Sequence, residues 1–382
     1  MVQEVNEDAL AAGTIRYILD DVYTEFVGAV KQQSVLFGDE IDKNIAIVYT
    51  PLNGAGLGPV TRTLQESGYA NITVVREQEM PNGNFPTCPY PNPEIREAMA
   101  LGIEYAEKQK ADLLLATDPD CDRVGIAVLD AAGEYVFLSG NQMGVLLLDY
   151  ICSQRTKHGR MPEDPVFIKT IVSTDLCERI AAHYGVETRN VLTGFKYIGE
   201  QIGQMEACGK ADSYIFGFEE SYGYLSGSYV RDKDAVDASL LICEMFCYYA
   251  SQGISLLDRL HMIYEQYGYC LNRVHSYSFE GAAGFETMQK IMAGFRTLSD
   301  HLCGYVIEQK LDYAQGINGL PKADVVKFIL EDNCSVIVRP SGTEPKIKVC
   351  VTVCADSGKI STAAESDGRD DAGCSSRDRI LR

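Results

Sequence analysis

Three aspartates lie within five residues of one another in the stretch LLLATDPDCDRVGIAV, which covers residues 113 to 128. Asp118, Asp120 and Asp122 fall between two apolar runs that are typical of buried strands. Three carboxylates this close are stable in ionised form only if a cation offsets their repulsion or one of them is protonated. Hard oxygen ligands suit Mg²⁺, so the stretch indicates either a magnesium site or a solvated acidic turn.

Two familiar motifs are excluded by spacing. An EF-hand calcium loop would need Gly where Arg123 stands and a bidentate Glu where Leu129 stands. The Gly-rich stretch NGAGLG, residues 53 to 58, is followed by Pro59, where a dinucleotide-binding fingerprint needs its last Gly. We therefore interpret NGAGLG as a backbone turn that leads into a helix.

Two further loops carry polar groups after an apolar run. GFEESYGY, residues 217 to 224, contains Glu219 and Ser221, which could accept or donate hydrogen bonds to sugar hydroxyls or form only a polar turn. The nearby segment RDKD places Arg231 and Lys233 among acidic residues at a predicted helix start. That segment could equally be an ion network that caps the helix.

RPSGTEPKIK, residues 339 to 348, is the strongest candidate for an anion site in this acidic chain. The Arg339 guanidinium, the hydroxyls of Ser341 and Thr343, and the backbone N–H groups around Gly342 could together hold a phosphate. The alternative is a hairpin whose charges are incidental.

The elements that must position these loops alternate along the chain. Apolar runs and helical patterns follow the order β-α-β-α-β up to the aspartate stretch and resume after it, which is typical of parallel sheets covered by helices. From about residue 265 the pattern becomes antiparallel. We predict two consecutive α/β domains with mixed, mainly parallel sheets and a smaller C-terminal α+β domain. The predicted boundaries are a leading helix at 1–36, α/β domains at 37–133 and 134–264, the α+β domain at 265–354 and a disordered tail at 355–382.

Composition narrows the classes of partner. The formal net charge of −20 argues against nucleic acid and anionic membranes as partners. The N-terminus has no signal-peptide pattern and no apolar run reaches the length of a membrane span, so we expect a cytoplasmic protein. The thirteen cysteines include no C-x-x-C pair, and we expect most of them to be buried and reduced.

Taken in order, DPDCDR, TGFKYIG, GFEESYG, RDKD and RPSGTEPK resemble the motifs of the alpha-D-phosphohexomutase family, most of all those of its bacterial phosphoglucomutases. The resemblance covers about residues 15 to 354 and corresponds to the second, third and fourth domains of a four-domain enzyme. It implies interconversion of glucose 1-phosphate and glucose 6-phosphate through a phosphoserine, with glucose 1,6-bisphosphate as intermediate and activator. The motif EESYG favours glucose; a phosphomannomutase or a non-catalytic sugar-phosphate-binding fragment is the alternative.

The same resemblance implies roles for individual residues. Mg²⁺ would be bound by Asp118, Asp120 and Asp122, and Arg123 would face the active site. The substrate contacts would be Lys196, Glu219, Ser221, Arg231 and Lys233, with Lys233 also a candidate for proton transfer. The phosphate that is not being transferred would be held by Arg339, Ser341, Gly342 and Thr343.

Two departures from the family pattern change the expectation for activity. The loop of type T-A-S-H-N-P that carries the phosphorylated serine is not found in this sequence, and Ser34, Ser139 and Ser173 do not lie in a comparable setting. We therefore assign no nucleophile, expect the chain to be inactive by itself, and regard a separately encoded first domain as a candidate partner. The polar tail also lacks the helix expected to close the last domain, which suggests a shifted reading frame or a truncated gene.

Overall fold

The computed structural model describes residues 7–317, 319–341 and 346–355. Two of the residues predicted to bind phosphate, Gly342 and Thr343, lie outside the described residues. The predicted disordered tail lies outside them as well, apart from its first residue, Ala355.

The segment before the first strand forms two helices, α1 (Glu7–Ala11) and α2 (Asp20–Lys31). The prediction of one leading helix over residues 1–36 is therefore wrong for the described residues 7–36, which form two separate helices. Gly13 adopts a φ of +73° just after α1, and the apolar residues between the two helices are exposed, with Ile18 79% accessible. Helix α2 buries Val27 and Val30, and Val30 belongs to the apolar core that the two α/β domains share.

The first α/β domain has a five-stranded sheet in the order β2-β1-β3-β4-β5. Its elements are β1 (Ile47–Thr50), α3 (Leu57–Glu66), β2 (Ile72–Val74), α4 (Arg76–Glu79), α5 (Arg96–Gln109), β3 (Leu113–Thr117), β4 (Val124–Leu129) and β5 (Tyr135–Leu138). The first three strands of the sheet are parallel, and β4 and β5 are antiparallel to their neighbours. Every residue of β1 and β3 is buried, as expected for parallel strands covered on both faces.

The second α/β domain has a four-stranded sheet in the order β7-β6-β8-β9, and only β9 is antiparallel. Its elements are α6 (Gly140–Lys157), β6 (Val166–Thr170), α7 (Leu176–His183), β7 (Glu187–Val191), α8 (Phe195–Ala207), β8 (Tyr214–Glu219), β9 (Gly223–Leu225), α9 (Ala235–Ala250) and α10 (Leu256–Tyr267). The predicted boundary at 264/265 falls inside α10. The helix in fact ends at Tyr267, and the chain turns at Gly268, whose φ is +93°.

The C-terminal domain has an antiparallel sheet in the order β10-β15-β14-β13-β12-β11. Its elements are β10 (Tyr269–Ser278), α11 (Gly281–Thr297), β11 (His301–Leu302), β12 (Tyr305–Asp312), β13 (Val326–Leu330), β14 (Ser335–Pro340) and β15 (Lys346–Ala355). The three sheets confirm the predicted fold class. Along the described residues, no helix combines the length and apolar character needed to cross a membrane.

The two α/β domains share one buried apolar core, which includes residues of β1, β3, α6, β8 and α9. The buried Glu244 carboxylate of α9 reinforces this junction. It accepts hydrogen bonds from the backbone N–H of Val35, at 3.0 Å, and from the hydroxyls of Tyr150 and Ser34, at 3.0 and 2.5 Å. The link between α2 and β1 is thereby fixed to the second domain.

The second α/β domain joins the C-terminal domain through a buried ion-pair group. Asp175 lies 2.9 Å from the ammonium of Lys169, which is fully buried, and 3.0 Å from that of Lys327 on β13. Burial alone would raise the pKa of Asp175, but the two lysines outweigh it and the pKa is lowered. The carboxylate is therefore charged, and it holds strand β13 against the second domain.

Candidate active site

The three aspartates lie in the loop between β3 and β4, at the carboxyl end of β3. One oxygen from each of Asp118, Asp120 and Asp122 lies within 4.8 Å of the others. Asp118 is buried, Asp120 is exposed, and Oδ1 of Asp122 is buried without a hydrogen-bond partner. A partnerless carboxylate oxygen beside two further carboxylates fits the ligand set of an oxygen-coordinated cation.

The loop is closed by its first aspartate. Oδ1 of Asp118 accepts hydrogen bonds from the backbone N–H groups of Asp122, at 3.0 Å, and Arg123, at 2.9 Å. Burial raises the pKa of Asp118 to about 7, and the charges of Asp122 and Asp120 add to the effect, whereas the hydrogen bond from Arg123 opposes it. The loop is thus held in a shape in which its own carboxylates repel one another.

Two glycines of NGAGLG pack closely against the loop that carries Asp118, Asp120 and Asp122, which we call the aspartate loop. A Cβ at Gly54 would lie 2.3 Å from Cα of Pro119, and a Cβ at Gly56 would lie 2.4 Å from the hydroxyl of Tyr49 and 2.9 Å from Sγ of Cys121. Between them, the N–H of Ala55 donates to the carbonyl of Pro119 at 2.8 Å. NGAGLG therefore leads into helix α3 as predicted, and only glycine fits where its backbone packs against the loop.

The second α/β domain contacts the aspartate loop through Lys233. Its ammonium donates to Oδ2 of Asp122 at 2.7 Å and to Oδ1 of Asp232 at 3.2 Å. Burial would lower the pKa of Lys233, but the hydrogen bond and charge of Asp122 outweigh it and the pKa is raised. The side chain is therefore a charged ammonium that can donate a hydrogen bond to an anion. In a proton transfer, Lys233 would act as the acid.

Backbone hydrogen bonds hold the loop to the second domain on both sides of Asp122. The N–H of Val124 donates to the carbonyl of Tyr222 at 3.1 Å, and the N–H of Ala235 donates to the carbonyl of Cys121 at 3.1 Å. These bonds therefore hold the aspartate loop against the start of α9 and against the loop GFEESYGY, residues 217 to 224, which we call the sugar-loop candidate.

Arg123 lies beside the same carboxylates. Its Nη1 donates to Glu94 at 2.8 Å, while its Nε is 3.6 Å from Oδ2 of Asp118 and 3.7 Å from Oδ1 of Asp122. Burial raises the pKa of Glu94, and the charge of Arg123 partly offsets the rise. Sequence reasoning missed Glu94, because no motif surrounds it.

Glu219 connects the loop GFEESYGY with the loop TGFKYIG. Its buried carboxylate accepts a hydrogen bond from the N–H of Gly194 at 2.8 Å. Burial raises the pKa of Glu219, and the neighbouring charge of Glu220 adds to the rise. Thr193, immediately before Gly194, has a buried hydroxyl without a partner. It was not assigned from the sequence, although it lies in the quoted motif.

The remaining predicted substrate contacts differ in placement. Ser221 is half-buried next to Glu219, and Lys196 is exposed at the start of α8. The Arg231 guanidinium contacts Glu206 near the end of α8 and the carbonyls of Ser228 and Val230. None of these partners belongs to the group formed by Asp122 and Lys233.

Arg339 brings the C-terminal domain to the sugar-loop candidate. Its Nη2 lies 4.0 Å from Oε1 of Glu220, whose Oε2 accepts from the Thr170 hydroxyl at 3.2 Å. Nε of Arg339 is buried without a hydrogen-bond partner, which leaves a donor for an anion. Ser341 closes the described part of this loop by donating its N–H to the carbonyl of Lys346 at 2.7 Å.

Comparison with known families matches the chain to the phosphoglucomutase/phosphomannomutase family in three consecutive regions. Residues 21–132 match alpha/beta/alpha domain II, residues 139–267 match alpha/beta/alpha domain III and residues 306–365 match the C-terminal domain.

Individual relatives agree with this assignment. The chain is 35% identical over 354 residues to a phosphoglucomutase of Staphylococcus saprophyticus, covering 88% of this chain and 62% of the relative. It is 37% identical over 325 residues to a phosphoglucomutase of Staphylococcus aureus, covering 81% and 57%. The chain thus spans about three fifths of the length of these relatives.

Solved structures share the fold. A phosphoglucomutase/phosphomannomutase family protein from Burkholderia thailandensis has a TM-score of 0.61 at 14% identity, covering 91% of this chain and 63% of that one. The open form of parafusin, a phosphoglucomutase from Paramecium, has a TM-score of 0.61 at 16% identity, covering 91% and 61%.

Replacing Asp122 by Asn tests the cation site. The variant keeps the shape of the side chain but removes a ligand charge, so we expect affinity for Mg²⁺ to fall roughly tenfold or more in isothermal titration calorimetry. Glu104→Gln, an exposed site on α5 with the same change of charge, should keep its affinity within about twofold. Unchanged affinity in Asp122→Asn would remove Asp122 from the ligand set.

The raised pKa of Asp118 predicts that cation binding releases a proton. Without a cation the carboxyl is mostly protonated at pH 6 and must ionise to coordinate, so affinity should fall about tenfold per pH unit below 7 and level off above about 8. Titration in two buffers of different ionisation enthalpy measures the proton. Asp118→Asn should abolish its release, and an affinity independent of pH between 5.5 and 8 would contradict the prediction.

Proposed function

Because the chain belongs to the phosphoglucomutase/phosphomannomutase family, we propose that it supplies the metal-, sugar- and phosphate-binding parts of a cytoplasmic phosphoglucomutase. The proposed reaction interconverts glucose 1-phosphate and glucose 6-phosphate through a phosphoserine, with glucose 1,6-bisphosphate as intermediate and activator. One observation carries the proposal: three interacting loops each present a buried polar atom without a partner, on Asp122, Thr193 and Arg339.

The proposed cation is Mg²⁺, held by Asp118, Asp120 and Asp122. When bound, it would supply positive charge to the phosphoryl group during transfer, which is the main requirement of such chemistry. Lys233 and Arg123 add two positive side chains beside the same carboxylates. Both can donate hydrogen bonds to phosphoryl oxygens while the aspartates hold them in place.

The proposed sugar site is the loop around Glu219 and Ser221. A carboxylate accepts from two hydroxyls of a sugar, and the bond from Gly194 orients Glu219 for this without using both of its oxygens. Lys196 is exposed and could turn toward a bound ligand. Arg231 stays a proposed contact that would have to leave Glu206 to reach the substrate.

The proposed site for the phosphate that is not transferred is the Arg339 loop. Arg339 has a free donor at Nε and contacts Glu220 only at 4.0 Å, so a phosphate can take the guanidinium without displacing a short ion pair. Ser341, Gly342 and Thr343 would complete the loop. The two ends of a hexose phosphate would then lie between the first and third of the described domains.

We propose that the phosphoserine belongs to a domain beyond these residues, encoded in a longer chain or separately. Apolar side chains that await such a partner are exposed just before and at the start of α2: Tyr17 at 70%, Ile18 at 79%, Leu19 at 69% and Val22 at 53% accessible. Exposed apolar side chains grouped in this way along the chain are typical of an interface between domains.

A phosphomannomutase and a non-catalytic sugar-phosphate-binding protein are the alternatives. The motif EESYG in the sugar loop favours glucose over mannose. A purely binding role would use the same sugar and phosphate loops, so only a catalytic measurement on the assembled protein distinguishes it.

Binding of glucose 6-phosphate tests the phosphate site directly. Arg339→Ala should weaken binding about tenfold or more in calorimetry, because it removes a charged donor from the anion. Arg160→Ala, an exposed arginine at the end of α6, removes the same charge and should leave the affinity within about twofold. If both variants lose affinity equally, net charge rather than the proposed loop accounts for binding.

A coupled assay of glucose 1-phosphate conversion tests the location of the nucleophile. With Mg²⁺ and glucose 1,6-bisphosphate present, this sequence alone should show no turnover above background, since no assigned serine can carry the phosphoryl group. Addition of a first domain from a phosphoglucomutase should restore activity. Robust turnover by this sequence alone would overturn the proposal that the nucleophile lies elsewhere.

A further inference from the structure

Two buried cysteines face each other across the first and last described strands of the C-terminal domain. Cys270 on β10 and Cys354 on β15 are direct partners in the antiparallel register, and they are 4% and 8% accessible. Residues directly opposite in such a pair have Cα atoms about 4.5 to 5.5 Å apart. This separation lies within the range of about 4.4 to 6.8 Å that a disulfide spans.

The sulfur of Cys354 lies in an environment that favours its thiolate. It lies opposite Cys270 in the strand register, and Nη2 of Arg179 on α7 donates to it at 3.6 Å. The neighbouring Cys270 thiol and the Arg179 guanidinium lower the pKa of Cys354 although burial opposes them. Arg179 is itself held by the carbonyl of Tyr267, to which Nη1 donates at 2.8 Å.

A third sulfur, that of Cys334, contacts the backbone of Cys354 and not its side chain. It accepts the backbone N–H of Cys354 at 3.4 Å and is not the register partner of Cys354 in the pairing of β14 with β15. Among the described residues, the side-chain group with geometry for a metal ion is the aspartate loop and not these cysteines. The arrangement therefore favours a covalent bond between two sulfurs over a metal site.

A small cavity reaches one member of the pair, Cys270. It has a volume of about 30 Å³ and a mixed lining, in which polar residues such as Asn141 and Asn272 alternate with apolar ones such as Val145 and Leu176. A molecule of the size of water fits this volume, so a small polar oxidant can come next to the dithiol on the Cys270 side.

We propose that Cys270 and Cys354 form a dithiol site that a small hydroperoxide, such as hydrogen peroxide, oxidises to an intramolecular disulfide. The Cys354 thiolate attacks one peroxide oxygen, forming a sulfenic acid and releasing hydroxide, which takes up a proton from solvent. The Cys270 thiol then attacks the sulfenic sulfur, forming the S–S bond and releasing water. The two sulfurs lose two electrons and the peroxide is reduced to two molecules of water. Arg179 is a positioning residue that loses its thiolate partner in the oxidised form.

Peptide mapping of the full chain tests the proposal without any variant. After mild treatment with hydrogen peroxide, alkylation under denaturing conditions and digestion, the peptides that contain Cys270 and Cys354 should be linked, and dithiothreitol should separate them. Oxidation confined to the exposed Cys208 and Cys303, or a link between Cys334 and Cys354, would overturn the proposal.

Variants then separate the roles of the residues. Cys334→Ser, which removes the third sulfur of the cluster, should form the link at the rate of the unaltered chain, whereas Cys270→Ser should not form it. Arg179→Met should slow the oxidation about tenfold at pH 7, and the rate of this variant should recover in part at pH 9, where more of the thiol is ionised. A rate that stays equally low at both pH values would assign Arg179 a structural role only.

Discussion

The contact between Asp122 and Lys233 is the interaction on which the candidate site depends. Three ionised carboxylates cannot be held together in one loop unless positive charge offsets their repulsion, and part of that charge comes from a different domain. The ammonium of Lys233 reaches Asp122 at 2.7 Å, and backbone bonds from the second domain hold the loop on either side. The shape of the loop is therefore a property of two domains that share one core, rather than of one loop sequence.

The third domain joins this arrangement by a different route. It is held to the second by the carboxylate of Asp175, which pairs with both Lys169 and Lys327, while Glu178 balances the second positive charge at 3.1 Å from Lys169. At the site itself the contact between Arg339 and Glu220 is long. The junction thus combines short ion pairs around Asp175 with a long contact at Arg339, which is what exchange of a carboxylate for the proposed phosphate would require.

Much of the fold and site could be predicted from the sequence because the loops follow strands, and the strands were marked by uninterrupted apolar runs. The aspartate cluster is a short-range pattern, and the structure gathers Asp118, Asp120 and Asp122 as expected. The partners of long side chains are harder to predict from a sequence. Arg231 lies in the RDKD segment as the pattern requires, yet its guanidinium contacts Glu206. The prediction of a leading helix failed for a related reason. Helical spacing of apolar residues does not reveal whether another part of the protein packs against them. Glu94 had no local signal, since its role depends on where Arg123 reaches after folding.

The support beneath the aspartate loop has a consequence for how the chain can vary. Gly54 packs so closely against the backbone of Pro119 that even a methyl group would have to displace the loop. An alanine at this position would leave charge and every side chain with a chemical role unchanged, yet it would shift the carboxylates relative to Lys233. A comparison of chemical groups alone would not reveal such an effect. Substitutions in the turn after β1 should therefore be expected to impair the site as much as substitutions of the aspartates themselves.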